Sequence, residues 1–153
     1  MSLQNKVILV TGAAGEIGAA TAKLLASRGA KLVLTDMKMS ALESLGIAEA
    51  LLLEHNVTQE ADWLRVMAAT KERFGGLHGL VNNAGIGGTP GSVISYSLEA
   101  FEQVMAVNVT GVFLGLKHGI KLMLEGRSGS VVNISSVAGV IGSPGMIAYN
   151  AAK

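Results

Sequence analysis

The sequence predicts an α/β fold, a doubly wound parallel sheet with helices on both faces. Three observations favour this class. Short runs of β-branched and aliphatic residues alternate with helical patterns along the whole chain. Half of the 153 residues are hydrophobic and only 15% are charged, so the chain can bury a substantial core. The 20 glycines stand mostly at the edges of the apolar runs, where the backbone must turn tightly.

The first unit is predicted to be a strand, a glycine-rich loop and a helix. Residues 7–10 form a continuous aliphatic run, which is typical of a strand covered on both faces. The loop 11–18 follows, and Gly29 provides the end of the helix. The helix is indicated by residues at helical spacing, which are Ile17, Thr21, Leu24, Leu25 and Arg28.

The same alternation continues through four more strands, predicted at 32–35, 51–53, 80–81 and 131–134. A short polar helix separates the second and third strands, a helix spans 59–74, and a long helix spans 98–124. One face of the 59–74 helix is expected to carry Trp63, Leu64, Val66, Met67 and Phe74. The residues that fall in register on the long helix are Phe101, Val104, Met105, Asn108, Val112, Leu116 and Ile120.

Composition narrows the possible functions. With 12 Lys and Arg against 11 Asp and Glu, the formal charge of +1 gives no electrostatic reason to expect a nucleic acid or an anionic membrane as partner. The absence of cysteine excludes disulfides, cysteine-ligated metals and thiol nucleophiles, and it agrees with a cytoplasmic location. The three histidines lie in separate elements without paired carboxylates, so no metal site is predicted. No targeting segment or membrane-spanning stretch is evident.

The loop between the first strand and the first helix has the features of an anion site. Gly12, Gly15 and Gly18 would let a pyrophosphate approach the free N–H groups at the helix N-terminus. Asp36 stands 18 residues after Gly18, at the end of the second strand, where its carboxylate can bind both hydroxyls of a ribose and repel a 2′-phosphate. NAD is therefore favoured over NADP. The alternatives are that the glycines only form a tight turn and that Asp36 caps the following helix.

The end of the chain brings together residues with acid–base chemistry. Tyr149 and Lys153 are four residues apart, so a helix places them on one face. A tyrosine needs a nearby cation to exchange a proton near neutral pH, and Lys153 could supply it. Ser136 is 13 residues upstream, at the carboxyl end of the fifth strand, so a substrate oxygen could lie between two hydroxyls. Asn133 is either a satisfied core amide or a support for the turn at Ser136.

These motifs together resemble the short-chain dehydrogenase/reductase family, and the resemblance extends over the entire chain. The loop from Thr11 to Gly18, the segment Asn82-Asn83-Ala84-Gly85 and the YxxxK pair of Tyr149 and Lys153 occur in the family's order and spacing. The resemblance implies a Rossmann-type domain that transfers a hydride between a nicotinamide cofactor and the carbonyl or secondary alcohol carbon of a small molecule. It also implies homodimers or homotetramers, formed through the 98–124 helix and the helix carrying Tyr149.

The resemblance also assigns roles to individual residues. Tyr149 would exchange the proton of the substrate oxygen, and Ser136 would hydrogen-bond the same oxygen. Lys153 would lower the pKa of Tyr149 and bind the nicotinamide ribose, while Asn108 would keep a relay water beside it. The implied catalytic residues are Asn108, Ser136, Tyr149 and Lys153. The implied cofactor-binding residues are Gly12, Gly15, Ile17, Gly18, Asp36, Asn56, Val57, Asn83, Tyr149 and Lys153.

One position departs from the pattern. Glu16 stands where the branch with the Asn-Asn-Ala-Gly segment has a glycine, and the resulting TGxxGxxG spacing is that of the extended branch of epimerases and dehydratases. A carboxylate beside a pyrophosphate is unfavourable, so we expect Glu16 to face solvent or to cap the helix. An extended-type nucleotide-sugar epimerase or dehydratase therefore stays an alternative. A non-catalytic nucleotide-binding module is the other.

The length is short for this fold. Residues 1–153 are predicted to be a single dinucleotide-binding domain with five strands, whereas a complete sheet of this kind has six or more. The final residue, Lys153, lies inside a helix and is needed for the proposed chemistry. We therefore expect roughly 100 further residues, which would carry the last strands and the substrate-binding segment. The 153-residue chain alone is expected to turn over little or nothing.

Overall fold

The structure, a computed structural model, describes residues 2–153 and confirms the doubly wound α/β class. The strands are β1 (Val7–Thr11), β2 (Lys31–Asp36), β3 (Leu51–Glu54), β4 (Gly79–Asn82) and β5 (Ser130–Asn133). The helices are α1 (Glu16–Ser27), α2 (Met39–Glu43), α3 (Glu60–Phe74), α4 (Leu98–Met105), α5 (Gly111–Glu125) and α6 (Ile147–Ala152). A π-helical segment, Ala106–Thr110, joins α4 to α5, and a 3₁₀ turn, Val137–Gly139, precedes α6.

The sheet has the strand order β3-β2-β1-β4-β5, and every neighbouring pair is parallel. The chain first builds outward from β1 through β2 to β3, and then returns to place β4 on the other side of β1. The strand order thus reverses between β1 and β4. In open α/β sheets the crevice at the carboxyl ends of two such strands is where ligands bind.

The side chains of β1 point alternately to the two faces of the sheet, and each face has its own hydrophobic core. Val7 and Leu9 point into the cluster beneath α3 and α5, which also contains Trp63. Ile8 and Val10 point into the cluster beneath α1 and α2. Because both faces are covered, all five residues of β1 are buried, and this explains the unbroken apolar run that predicted the strand.

The first helix is confirmed, but small residues make its inner face. Gly18 and Ala22 are the buried positions of α1, whereas Ile17 is 61% exposed. A side chain at Gly18 would come within 2.8 Å of the Ala13 Cα, so only a glycine permits this packing against the loop. Gly29 has a φ of +85° just after the helix, which confirms its predicted role as the helix end.

The predicted inner face of α3 is correct except at one position. Trp63, Val66 and Met67 are buried, but Leu64 is 56% exposed. The buried face of α3 also includes Thr70, whose hydroxyl donates to the carbonyl oxygen of Val66 at 2.7 Å. That hydrogen bond lets a polar residue occupy an apolar face.

The long helical segment follows the predicted register in its first half only. Val104 and Asn108 are buried as expected, but α5 turns a row of glycines toward the sheet, and the predicted Ile120 is exposed. A side chain at Gly115 would lie 2.8 Å from the Trp63 ring, so the glycine is required for close approach. The buried glycines of α5 are Gly111, Gly115 and Gly119.

Candidate active site

Six of the ten predicted cofactor-binding residues line a groove of about 350 Å³ at the carboxyl ends of β1, β2 and β4. The glycine-rich loop forms one wall, and the segment after β4 forms another. The lining residues are Gly12, Gly15, Glu16, Ile17, Gly18, Asp36, Asn83, Ala84 and Gly85. The groove therefore lies at the point where the strand order reverses.

The glycine loop has the geometry of an anion cradle. Gly12 has a φ of +61°, and a side chain there would lie 2.8 Å from the Ala84 Cα. Gly15 precedes α1 in an extended conformation and has no side chain that could cap the helix. The first N–H groups of α1 are therefore free to donate hydrogen bonds to a ligand. These donors and the helix dipole fit the pyrophosphate of a dinucleotide.

Asp36 lies beside this loop and does not cap α2. Its Oδ2 accepts a hydrogen bond from the N–H of Ala14 at 3.1 Å, and its Oδ1 accepts one from the N–H of Lys38 at 3.3 Å. The capping position of α2 belongs to Lys38. The capping alternative for Asp36 is therefore wrong, and its half-buried carboxylate stands next to the loop, as ribose binding requires.

Glu16 takes one of its two expected orientations. It is the first residue of α1, its side chain is exposed, and it makes no hydrogen bond to any residue in the described range 2–153. Solvent therefore surrounds the carboxylate, and the cap interpretation is not needed. The negative charge also lies at the positive end of the helix dipole, where it is favourable.

The segment after β4 holds the glycine loop in place. Asn83 Nδ2 donates to the carbonyl oxygens of Thr11 and Gly12 at 2.9 and 3.0 Å. In return, the Thr11 hydroxyl oxygen accepts hydrogen bonds from the N–H groups of Asn83 and Ala84 at 3.0 and 3.1 Å. The Asn83 amide donors are thus engaged with the backbone of the loop. The sequence places Thr11 at the start of the loop, but the two hydrogen bonds of its hydroxyl come from a segment about 70 residues away, which no local pattern indicates.

The first asparagine of this segment reaches across the sheet. Asn82 Nδ2 donates to Asn133 Oδ1 at 2.9 Å, and the two residues are directly paired between β4 and β5. Asn133 is the last residue of β5, and this bond satisfies its amide oxygen and fixes the end of the strand, three residues before Ser136. The bond agrees with both interpretations, a satisfied amide and a support for the turn at Ser136.

Two other predicted cofactor-binding residues, Asn56 and Val57, build the turn after β3. Asn56 Oδ1 accepts hydrogen bonds from the N–H and the hydroxyl of Thr58 at 3.1 and 2.8 Å. Val57 is buried against Gly111, and its carbonyl oxygen accepts the indole N–H of Trp63 at 2.9 Å. The Val57 side chain therefore belongs to the core.

Asn108 joins the helical segment to the loop after β4. Its Oδ1 accepts from the N–H of Ile86 at 3.2 Å, and its Nδ2 donates to the carbonyl oxygens of Ile86 and Val104 at 2.8 and 3.0 Å. A side chain at Gly85 would lie 2.6 Å from Asn108 Oδ1 and 3.4 Å from Lys153 Nζ. These three residues therefore adjoin. The π-helical turn at Asn108 is a feature that often marks functional sites.

The acid–base residues gather at the carboxyl end of β5. Lys153 Nζ donates to the carbonyl oxygen of Ile134 at 2.9 Å and lies 5.7 Å from the centre of the Tyr149 ring. Ser136 Oγ accepts from the N–H of Ala138 at 3.2 Å, which starts the 3₁₀ turn. A cation beside the phenol stabilises its deprotonated form, and a hydroxyl on the neighbouring turn can bind the same substrate oxygen. Sequence reasoning gave no role to Asn150, which lies next to Tyr149 in α6.

The histidines have structural partners away from this cluster. His55 is buried, its Nδ1 lies 3.0 Å from the Thr35 hydroxyl, and burial lowers its pKa from 6.5 to about 4. His118 lies 2.9 Å from Glu60, whose pKa is lowered by hydrogen bonds from Lys117 first and His118 second. Residues 2–153 contain no group of three or more His, Cys, Asp or Glu that could hold a metal ion. No helix in that range is long and apolar enough to cross a membrane.

A family comparison agrees with this geometry. The family model described as short chain dehydrogenase matches residues 6–153. The chain belongs to this family. Among curated relatives, it is 43% identical to 2-(S)-hydroxypropyl-CoM dehydrogenase 3 of Xanthobacter autotrophicus, with 99% of this chain and 61% of the relative covered. It is 41% identical to levodione reductase of Leifsonia aquatica, with 97% of this chain and 59% of the relative covered.

Solved structures of short-chain dehydrogenases share the arrangement of the chain. The crystal structure of levodione reductase superposes with a TM-score of 0.93 at 39% identity, over 97% of this chain and 61% of that one. The crystal structure of NAD+-bound xylitol dehydrogenase gives a TM-score of 0.94 at 37% identity, over 100% of this chain and 61% of that one. The chain thus spans about three fifths of the length of the relatives it matches.

Proposed function

We propose that the protein containing this chain is an oxidoreductase that transfers a hydride between NAD(H) and the carbonyl or secondary alcohol carbon of a small molecule. The observation that carries this proposal is the gathering of Ser136, Tyr149 and Lys153 beside a groove whose glycine loop fits a dinucleotide. The names of the relatives, which are dehydrogenases and reductases, support the reaction type. The epimerase or dehydratase alternative rests on the TGxxGxxG spacing alone, and the names of the relatives give it no support.

Each proposed catalytic residue has one chemical task. During carbonyl reduction Tyr149 donates its phenolic proton to the substrate oxygen, and during alcohol oxidation it accepts that proton. Ser136 donates a hydrogen bond to the same oxygen and stabilises the negative charge that develops there. Lys153, held by the Ile134 carbonyl, stabilises the Tyr149 phenolate. A nicotinamide bound in the groove would supply or accept the hydride.

The proposed cofactor is NAD. Gly12, Gly15 and Gly18 would leave room for the pyrophosphate, and Asp36 would bind the adenosine ribose hydroxyls and repel a 2′-phosphate. The groove wall made by Ile17 and Asn83 would complete the site. The NAD+-bound state of the xylitol dehydrogenase neighbour supports a nicotinamide dinucleotide as the cofactor.

We propose that Asn108 positions Lys153. Its amide is already bonded to Ile86 and Val104, so a relay water beside Lys153 would be held by the backbone of the π-helical segment. The same amide keeps Gly85 next to the lysine. We assign Asn108 this supporting role in proton transfer.

A comparison of Tyr149→Phe with the unmodified full-length protein tests the function. NADH and NADPH binding are measured by fluorescence titration, and turnover is measured with a panel of secondary alcohols and ketones. We expect NADH to bind more tightly than NADPH, and Tyr149→Phe to keep NADH binding while losing more than about 100-fold in kcat. Tight NADH binding without turnover by the unmodified protein would instead support the non-catalytic binding module.

A further inference from the structure

One side chain in the site has contacts that the reaction scheme leaves unexplained. The amide of Asn150, in α6, binds three backbone groups of the loop 138–143. Its Nδ2 donates to the carbonyl oxygens of Ala138 at 2.7 Å and Ile141 at 3.0 Å, and its Oδ1 accepts from the N–H of Ser143 at 3.3 Å. An amide side chain has two hydrogen-bond donors and two acceptor positions, and three of these four bind the loop 138–143.

The loop 138–143 is continuous with the turn that carries Ser136. The Ser136 hydroxyl oxygen accepts the N–H of Ala138, and the carbonyl oxygen of the same Ala138 accepts from Asn150. Asn150 is the residue next to Tyr149. A single backbone position therefore links the serine hydroxyl to the helix that carries the tyrosine.

Two further side-chain hydrogen bonds join this part of the chain to the end of α6. Ser135 Oγ donates to the Lys153 carbonyl oxygen at 3.3 Å, and Lys153 Nζ donates to the Ile134 carbonyl oxygen at 2.9 Å. Gly139 also lets the turn approach the backbone of Lys153. Asn150 thus makes three of the five side-chain hydrogen bonds between residues 134–143 and 147–153, and its three are the ones that reach the loop 138–143.

We propose that Asn150 is a positioning residue, which sets the separation of the Ser136 and Tyr149 hydroxyls so that both reach one substrate oxygen. The inference rests on the proposed function, because this separation matters only if both hydroxyls act on the same atom. Asn150 touches neither hydroxyl directly. Its effect passes through Ala138 on one side and through the α6 backbone on the other.

The test compares Asn150→Ala with the unmodified full-length protein. We expect kcat to fall by about 100-fold, since a displacement of about 1 Å between reacting groups has that effect, and Kd for NADH to stay unchanged. Asn150→Gln keeps both donors and the acceptor on a side chain one methylene longer, and it should recover part of kcat. Val66→Ala, in the core beneath α3, is the control for stability and should lower Tm without lowering kcat.

Hydrogen–deuterium exchange gives a readout that does not depend on turnover. In Asn150→Ala we expect faster exchange confined to peptides that cover residues 138–143. Unchanged kcat or unchanged exchange in this variant would overturn the inference. If the unmodified protein binds NADH but turns over no alcohol or ketone, the proposed function fails together with the catalytic part of the inference, while faster exchange would still show that Asn150 orders the loop.

Discussion

At the scale of single residues, His55 shows how burial controls protonation. Its ring is 2% exposed, packs edge-on against Trp63 with 4.4 Å between ring centres, and holds the Thr35 hydroxyl. Its Nε2 is buried and makes no hydrogen bond within residues 2–153. A second proton on the ring would place a charge where there is no solvent, and for this reason the pKa falls to about 4.

The pKa of His55 predicts a loss of stability in mild acid. The unfolded chain binds a proton near pH 6.5, whereas the folded chain resists it until about pH 4, so the free energy of unfolding decreases as the pH falls between these values. We expect a loss of about 2 kcal/mol between pH 7 and pH 5. Urea unfolding at the two pH values measures it.

His55→Gln is the control for this effect. It removes the titrating ring and keeps a polar group near Thr35, so most of the difference between pH 7 and pH 5 should disappear. The lowered pKa values of Glu60 and Asp62 affect stability mainly at lower pH, because their ordinary values are 4.5 and 3.8. An unmodified protein that is equally stable at both pH values would contradict the prediction.

The residue types in the sequence predict the side chains of the candidate site better than the hydrogen bonds that hold those side chains in place. Asp36, Ser136, Tyr149 and Lys153 were predicted because the chemistry requires those side chains at those places in a strand–helix order. Asn150 gave no such signal, since its partners are backbone groups of a loop whose path depends on tertiary packing. The amide of Asn108 likewise binds Ile86, 22 residues away, which no local pattern indicates.

At the scale of elements, the difference between prediction and structure is largest in α5. A hydrophobic pattern indicates which side chains are apolar, but beside Leu114 and Leu122 the buried face of α5 carries a row of glycines. Gly111, Gly115 and Gly119 recur every four residues and let the helix backbone approach β4 and Trp63. The strands were predicted because buried strands are apolar throughout, and this face was not, because glycine carries no hydrophobic signal.

Gly115→Ala tests this close approach. Alanine favours a helix over glycine by about 1 kcal/mol, but its methyl group would lie 2.8 Å from the Trp63 ring. Overpacking of this kind costs about 1–3 kcal/mol, so we expect a net loss of about 1 kcal/mol in the free energy of unfolding. Urea unfolding gives the value. Gly126→Ala, whose methyl group would meet only the Met123 carbonyl oxygen at 3.6 Å, should lose nothing, and equal effects of the two changes would refute the explanation.

At the scale of the whole molecule, the outer side of the same helical segment leaves apolar residues uncovered. Phe113 is 59% exposed and Leu124 is 69% exposed on α5. The full set of exposed apolar residues from the π-helical segment through α5 is Val109, Phe113, Ile120 and Leu124. We propose that another subunit covers this surface in a homodimer or homotetramer, because exposed apolar surface of this kind marks association sites.

Phe113→Asp is expected to lower the molar mass of the full-length protein in solution. A buried charge at a subunit interface is costly, so the subunits should separate while the circular dichroism spectrum stays unchanged. Light scattering measures the mass. Leu64→Asp makes the same kind of change at an exposed leucine of α3 and should leave the mass unaltered. A monomeric unmodified protein would refute the assembly.

The amide pair of Asn82 and Asn133 also bears on how the strands choose their alignment. Val131 packs against one core cluster and Ile134, just after β5, packs against the other, so burial already favours one alignment of this strand. A shift by a single residue would turn Asn133 to the opposite face and break its bond to Asn82. The same shift would carry Ser136 about 3.3 Å along the sheet, away from α6. The hydrogen bond between the two amides thus adds to the burial of Val131 and Ile134 in favouring the strand alignment that places the serine turn beside α6.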